Sequence, residues 1–184
     1  PVIGTFYELA SRRKGGLGSG DPNRIIVDEC ASCDYGPMSI SRQDRYIFCP
    51  RCGTTVYPAD TLKLWMETDG LRSIETVTTR VMMTLEHLLM VHNVRHLHRV
   101  SPQDIGKTAF IVDGPLAVFG WGCQWLHAPI MEFLHRTTLD LEARGLQRPV
   151  VFGLQKQGYV VDHARVLERL LPANRFFPVD DAYR

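Results

Sequence analysis

The stretch TAFIVDGP, residues 108–115, decides the class of fold. Its apolar run has the length of a buried strand, and Asp-Gly-Pro at 113–115 ends that strand in a sharp turn. A second apolar run, PVVFGL at 149–154, predicts another buried strand. Between them, residues 129–145 begin with a proline, carry an apolar stripe and end on a glycine, which is typical of a helix. Strand, helix and strand at this spacing predict a crossover between parallel strands, so the larger part of the chain should be α/β.

A long helix is predicted before this unit, over residues 73–97. Apolar residues recur there at helical spacing and methionines widen the stripe, so we expect a well-buried helix. A shorter helix is predicted after the second strand, over residues 162–171, where Pro172 closes it. The stripe of the long helix is Val77, Val81, Leu85, Leu88, Leu89 and His92, with Met82, Met83 and Met90 beside it.

Four of the five cysteines form two Cys-x-x-Cys pairs, Cys30 with Cys33 and Cys49 with Cys52. Fifteen residues separate the pairs, a spacing at which two short loops bring four thiolates onto one tetrahedral zinc ion. Four protein ligands leave no open coordination position, so this zinc is predicted to stabilise the fold and not to activate water. A redox dithiol is the competing interpretation, but it explains one pair and leaves the other without a role. Cys123, which lies among tryptophans, is predicted to be a core residue.

The composition suits one globular domain and a small module, because the chain has 184 residues, 45% of them hydrophobic and 22% charged. Its 21 basic and 20 acidic side chains nearly cancel, so local patches alone would attract nucleic acid or anionic lipid. No apolar run approaches the roughly 20 residues of a membrane helix. Cysteine pairs of this kind predict a reducing compartment, and the cytoplasm is the expected location. The chain opens on Pro1 without a methionine, so the sequence is expected to be a fragment.

Three regions are predicted along the chain. Residues 1–23 end in a run rich in Gly, Ser, Pro and charge without apolar periodicity, and they are predicted to be a flexible arm or linker. Residues 24–58 carry short β-type runs around the cysteines and are predicted to form a zinc ribbon. Residues 59–184 make up the predicted α/β domain.

Two carboxylates are candidates for a catalytic metal site. Asp113 leaves a buried strand at the edge where α/β folds place their chemistry. Asp-Gly-Pro is also ordinary turn chemistry, so Asp113 capping its own turn is the alternative. Glu86 emerges from an apolar helix face, where an isolated charge needs a cation. That cation is either an Arg or His partner or a divalent metal shared with Asp113.

The C-terminal part of the long helix is basic. Arg95 and Arg99 lie there among three histidines. Two of the histidines are one helical turn apart and could bind a metal, but a basic helix end is the simpler interpretation. With the basic run at residues 12–14 in the arm, this cluster is the local charge that a phosphate backbone would attract. The histidines are His92, His96 and His98.

Four stretches of the α/β part resemble the NurA nuclease domain: RVMMTLEHLL at 80–89, FIVDGPLAVFG at 110–120, VFGLQKQGYVVDH at 151–163 and PVDDAY at 178–183. The resemblance implies an RNase H-like nuclease core, here partial, and a DNA nuclease that depends on manganese or magnesium. It also implies a homodimer that works with a HerA-type hexameric ATPase in DNA-end processing or antiviral defence.

The resemblance assigns three site residues. Asp113 matches a metal-binding aspartate, Glu86 matches the glutamate of the helix, and Lys156 matches the lysine of a Gly-x-x-Lys-x-Gly turn. An earlier strand with another Asp-Gly and a histidine-bearing segment after a tyrosine, both part of the family's pattern, are not evident in this sequence. Part of the active site is therefore expected to lie outside the sequence or to be absent. The zinc ribbon is not general to the family, and we expect it to contact DNA or a partner.

Two functions from different classes follow. The first is DNA hydrolysis, with Asp113 and Glu86 as ligands of manganese or magnesium and Lys156 near the scissile phosphate. The second is a noncatalytic zinc-ribbon adaptor that docks on an ATPase or on DNA. Zinc-dependent redox chemistry, a third, would require cysteines that react with thiol reagents while metal is bound. Apolar surface on the long helix and around Trp121–Trp125 favours a dimer bound to a ring ATPase.

Overall fold

The computed structural model describes residues 2–68, 74–120, 122–156, 158–172 and 174–175. Within these ranges the chain forms four α-helices: α1 (Val2–Ser11), α2 (Ile74–Val100), α3 (His127–Ala143) and α4 (Tyr159–Glu168). It also forms six strands: β1 (Arg24–Val27), β2 (Met38–Ser41), β3 (Ile47–Phe48), β4 (Thr55–Val56), β5 (Ala109–Asp113) and β6 (Val150–Leu154). Short 3₁₀ turns cover Pro58–Leu62, Leu64–Thr68, Pro102–Lys107 and Gln124–Leu126.

In the described ranges the strands form three two-stranded sheets. β1 pairs with β2 and β3 with β4, both antiparallel, and these four strands surround the cysteines. β5 and β6 are parallel, with Asp113 opposite Leu154, and α3 lies between them in the chain. The predicted crossover between parallel strands and the mixed α/β class are therefore confirmed. Sheets this small do not show an RNase H-like core, and β2 was not among the predicted strands.

The prediction of a flexible arm over residues 1–23 is wrong for its first half. Residues 2–11 form α1, in which Tyr7 and Leu9 are each 1% exposed, and the helix packs against α2, α3 and β1. The prediction rested on the Gly-rich run that follows, whereas Phe6, Leu9 and Ala10 already have the spacing of a buried helix face. α1 therefore belongs to the core and carries the chain into the cysteine region.

The long helix is confirmed, but its buried stripe is rotated from the predicted one. Leu85 and Leu89 are half-exposed, whereas His87 and Val91 are fully buried. The cause is that α2 is apolar on two faces, so periodicity alone does not decide which face is covered. The buried residues are Thr84, His87, Leu88, Met90, Val91 and Val94. In the part of the chain that the structure describes, no helix is both long and apolar enough to cross a membrane.

A buried ion pair joins α1, the cysteine region and the segment before α3. The Arg13 guanidinium donates to both carboxylate oxygens of Asp28, at 2.7 Å from Nη2, and each side chain is 11% exposed. Arg13 also donates to Thr61 Oγ1 at 3.1 Å and lies 4.8 Å from the centre of the Trp125 ring. Lys63 Nζ approaches the same carboxylate at 3.4 Å. A charge pair withdrawn from water is tolerated when its remaining donors and acceptors are paired, and here they are.

We predict that Arg13→Leu destabilises the protein by about 3 kcal/mol, because it leaves the Asp28 carboxylate buried with Lys63 as its remaining partner. Urea unfolding followed by circular dichroism measures this change. The matched control is Arg24→Leu, since the Arg24–Asp21 pair is 4.0 Å long with side chains 59% and 47% exposed. That control should change the free energy of unfolding by at most about 0.5 kcal/mol. Equal losses in the two variants would contradict the role assigned to Arg13.

Candidate functional site

The four paired cysteines converge on one point. Their Sγ atoms all lie within 4.8 Å of one another. The Cys30–Cys52 and Cys33–Cys49 separations are both 3.6 Å. A tetrahedral zinc ion with Zn–S bonds of about 2.3 Å places its sulfurs roughly 3.8 Å apart, so the cluster fits such an ion with little adjustment. The four thiols can therefore bind a metal ion such as zinc.

The two cysteine loops repeat the same backbone hydrogen bonds. The Asp34 amide donates to the Cys30 carbonyl at 2.9 Å, and the Gly53 amide donates to the Cys49 carbonyl at 2.9 Å. In both loops the amide of the first cysteine donates, at 2.8 Å, to the carbonyl of the residue five positions later. Asp34 and Gly53 have φ of 58° and 74°, a left-handed conformation that glycine adopts freely and aspartate tolerates. Each loop thereby aims its two thiols in one direction.

Cys52 is the exposed member of the cluster, whereas Cys30 and Cys49 are buried. Hydrogen bonds with the side chain and the backbone of Thr54 lower the pKa of the Cys52 thiol to about 6. Because zinc binds thiolates, a thiol that ionises near neutral pH is easier to ligate. Among the described residues no His, Asp or Glu joins the four thiols, so a bound ion would have no open position.

Asp113 and Lys156 meet beyond the ends of the parallel strands. Asp113 is the last residue of β5, and Lys156 is the second residue after β6. Parallel strands end at one edge of their sheet, and there Lys156 Nζ lies 2.8 Å from Asp113 Oδ2 across 43 residues of sequence. The side chains of Lys156 and Asp113 are 69% and 62% exposed, respectively. The pair therefore adds little stability and remains accessible to a ligand.

Glu86 lies on α2 and lines a groove that also includes Asp113. This open groove of about 400 Å³ runs between α2 and β5, and Glu86, Asn93 and Asp113 are among its lining residues. Two of the three site residues predicted from the resemblance, Glu86 and Asp113, therefore line one groove, and the third, Lys156, contacts Asp113. Within the described ranges neither Arg nor His pairs with Glu86, and no third ligand completes a carboxylate cluster as tight as that of the cysteines.

Two contacts fix the turn that carries Asp113. A Cβ added at Gly153 would lie 2.2 Å from the Gly114 carbonyl oxygen, so β6 needs a glycine where the turn crosses it. On the other side, the fully buried ring of His87 places Nε2 3.1 Å from the Leu116 carbonyl oxygen, which accepts a hydrogen bond when that nitrogen is protonated. The turn is thus attached both to β6 and to α2.

His87 is the residue that sequence reasoning missed. It lies beside Glu86 on α2, and a histidine among apolar helix positions was the available signal. The structure also describes the contacts of two residues considered above. His92 Nδ1 lies 3.0 Å from Thr5 Oγ1, and burial together with the charges of neighbouring residues lowers the pKa of the His92 side chain. Cys123 is buried and its thiol donates to a backbone carbonyl, as a core residue should.

No known family model matches the chain, and searches of curated proteins and of solved structures gave no match either. The chemistry of the two sites is therefore the basis for assigning a function. One site is a closed set of four thiols, and the other is an open groove lined by two carboxylates, one of which pairs with Lys156.

We predict about one zinc ion per chain, and we predict that Cys49→Ser removes most of it, because a tetrahedral site loses one of its four thiolates. Elemental analysis of purified protein measures the zinc content. The matched control is Cys123→Ser, which replaces a buried cysteine outside the cluster and should retain the zinc of the parent.

Removing zinc with a chelator should reduce amide hydrogen-exchange protection most strongly in residues 30–35 and 49–54, where the repeated loops lie. Parent protein that contains no zinc after growth with excess metal would contradict the assignment of the cluster.

Proposed function

We propose that this chain is a DNA nuclease that depends on manganese or magnesium. The observation that carries the proposal is that Glu86 and Asp113 line one open groove along β5, and that Lys156 lies 2.8 Å from Asp113. The three residues come from β5, α2 and the turn after β6, so their proximity is a product of the fold. The carboxyl edge of parallel strands is also the usual ligand-binding edge of α/β proteins.

Asp113 and Glu86 would hold the catalytic metal. Manganese and magnesium are hard cations that prefer oxygen ligands, and magnesium often takes only one or two protein carboxylates and fills its other positions with substrate phosphate and water. Two carboxylates on an open groove fit this requirement. When bound, the ion would supply Lewis-acid polarisation of the phosphate and of the attacking water.

Lys156 would orient the scissile phosphate. Its side chain is 69% exposed and its ammonium nitrogen lies 2.8 Å from Asp113, so the lysine charge stands beside the proposed metal ligand. A lysine acts on phosphate as a mobile point charge with three donors. Exchange of Asp113 for a phosphate oxygen would therefore keep the lysine charge paired and would free the carboxylate for metal.

We extend the proposal to the NurA type of nuclease, with a partial RNase H-like core and a structural zinc in the ribbon. The sequence stretches at 80–89, 110–120 and 151–163 support it, because they include Glu86, Asp113 and Lys156. In this proposal the protein is a homodimer that works in the cytoplasm with a HerA-type hexameric ATPase, in DNA-end processing or antiviral defence.

An exposed apolar face supports the proposed homodimer and its ATPase partner. It also favours the alternative function, a noncatalytic zinc-ribbon adaptor. On the open face of the β5–β6 sheet, Ile111, Phe152 and Leu154 are 55%, 37% and 50% exposed. Parallel sheets are ordinarily covered on both faces, so such a face suits a protein partner. Trp125 does not add to it, because it is half-buried and donates to the Thr61 carbonyl, and Trp121 lies outside the described residues.

We predict that Asp113→Asn and Glu86→Gln each reduce manganese-dependent cleavage of end-labelled DNA by about a hundredfold or more, because each removes a negative oxygen ligand and keeps the shape of the side chain. Zinc content and the unfolding midpoint should stay at the values of the parent. Gel assays with and without the ring ATPase measure the cleavage.

The lysine has a matched control in the chain. Lys107 also pairs with an aspartate, Asp104, at 3.0 Å and is 74% exposed, but it lies before β5, outside the groove. Lys156→Ala should reduce cleavage, whereas Lys107→Ala should not. Cleavage near the parent rate by both carboxylate variants would place the activity elsewhere. Parent protein that binds the ATPase but never cleaves DNA would favour the adaptor.

A further inference from the structure

Five arginines line a second surface, on the side of the molecule formed by α1, α2 and α3. Two adjoining open grooves of about 480 and 540 Å³ share Glu8, Arg12, Arg95 and Arg136 in their linings. A third, of about 320 Å³, continues past Arg95 to Arg99. We name this surface the arginine groove and define it by Arg12, Arg42, Arg95, Arg99 and Arg136.

The arginine groove exists only in the folded protein. Arg12 follows α1, Arg42 follows β2 in the cysteine region, Arg95 and Arg99 lie on α2, and Arg136 lies on α3. The helices that carry them pack against one another. Residues spread over more than half of the sequence thus form one positive surface on a chain whose total charge is +1.

The charge of the groove is only partly neutralised from within. Glu8 lies between two arginines, 3.2 Å from Arg12 and 2.7 Å from Arg95, and it orients both. Arg136 pairs with Glu132 at 2.6 Å. The guanidinium groups of Arg42 and Arg99 form no ion pair with any described residue. Two exposed cations in the groove are therefore free to bind an external anion.

The groove itself also contains few acidic groups. Glu8 and Asp140 are the carboxylates that line it, against five arginines. Asp140 is already bonded to His98 at 2.8 Å and to Arg144 at 3.1 Å. The net charge of the lining residues is positive, so the groove should attract a polyanion.

The chemistry of the lining favours a phosphate backbone over an acidic peptide. The cations are all arginine, whose planar fork binds phosphate oxygens in pairs. A peptide partner needs apolar pockets for anchoring side chains, whereas the apolar groups here are mainly Phe133, Pro22 and Val100 at separate points of the lining. A nucleic-acid strand carries a regularly repeating negative charge, and a protein can bind that charge without pockets for side chains.

We infer that the arginine groove binds the phosphate backbone of DNA. The choice of DNA as the polymer rests on the proposed nuclease function, but binding at the groove needs neither Asp113 nor a catalytic metal. Arg42 further ties binding to the cysteine cluster, because it directly follows β2 of that region. Loss of zinc should therefore weaken DNA binding as well as the ribbon fold.

The test is fluorescence anisotropy with labelled single-stranded DNA, duplex DNA and RNA of one sequence, using zinc-loaded protein without manganese or magnesium. Arg42→Glu with Arg99→Glu should weaken DNA binding by about a hundredfold and lower the slope of log affinity against log salt by about 2, because two phosphate contacts are lost. Arg42→Gln with Arg99→Gln should act in the same direction with a smaller effect, and zinc content checks that both variants fold.

The matched control is Arg148→Glu, a charge reversal at an exposed arginine outside the groove, between α3 and β6. It should bind DNA like the parent. Equal weakening by Arg148→Glu, or unchanged binding by the groove variants, would overturn the inference. RNA bound as tightly as DNA through the same arginines would overturn the choice of DNA. If the parent protein binds DNA through these arginines but does not cleave it, the result would support the DNA-binding role of the arginine groove and contradict the proposed nuclease function.

Discussion

The Arg13–Asp28 ion pair is the contact on which the arrangement of the molecule depends. It joins the end of α1, the end of β1 and the 3₁₀ turn at Pro58–Leu62, and it covers one face of Trp125 before α3. In another arrangement of the cysteine region, the two buried charges would be left without partners. The contact therefore specifies how this region docks more than it adds stability. Arg12, a member of the arginine groove, directly precedes Arg13 in this junction.

α2 relates the two proposed binding surfaces to one another. Glu86 lies near its middle and Arg99 near its end, and a helix rises about 1.5 Å per residue, so the two residues are roughly 20 Å apart along the axis. The step of 13 residues between the two positions, at about 100° each, also places Glu86 and Arg99 about 140° apart around the axis, so the two surfaces lie on different sides of α2. A strand bound along the arginines would thus be held at a fixed distance from the carboxylates, because the connecting helix is continuous.

Local chemistry was predictable from the sequence, and tertiary burial was not. The cysteine spacing predicted a four-thiol cluster, and the runs at 108–112 and 149–154 predicted a parallel pair, because these signals lie within short segments. The face that α2 buries was predicted wrongly, since its apolar residues occupy two sides and only packing chooses between them. The burial of α1 was missed because the Gly-rich run after it decided the prediction, although its apolar spacing was present and α2 and β1 supply the covering surface. His87 needed the position of Leu116, which no spacing reveals.

The close approach of Gly153 to the Gly114 carbonyl has an evolutionary consequence. Any side chain at position 153 would push the turn outward and separate Asp113 from Lys156, whereas neighbouring strand positions tolerate many apolar residues. If the chain is the nuclease proposed above, homologues should vary at most positions of β6 and retain this glycine together with Asp113 and Lys156. Such a three-point pattern would identify distant relatives of this chain when whole-length similarity has faded.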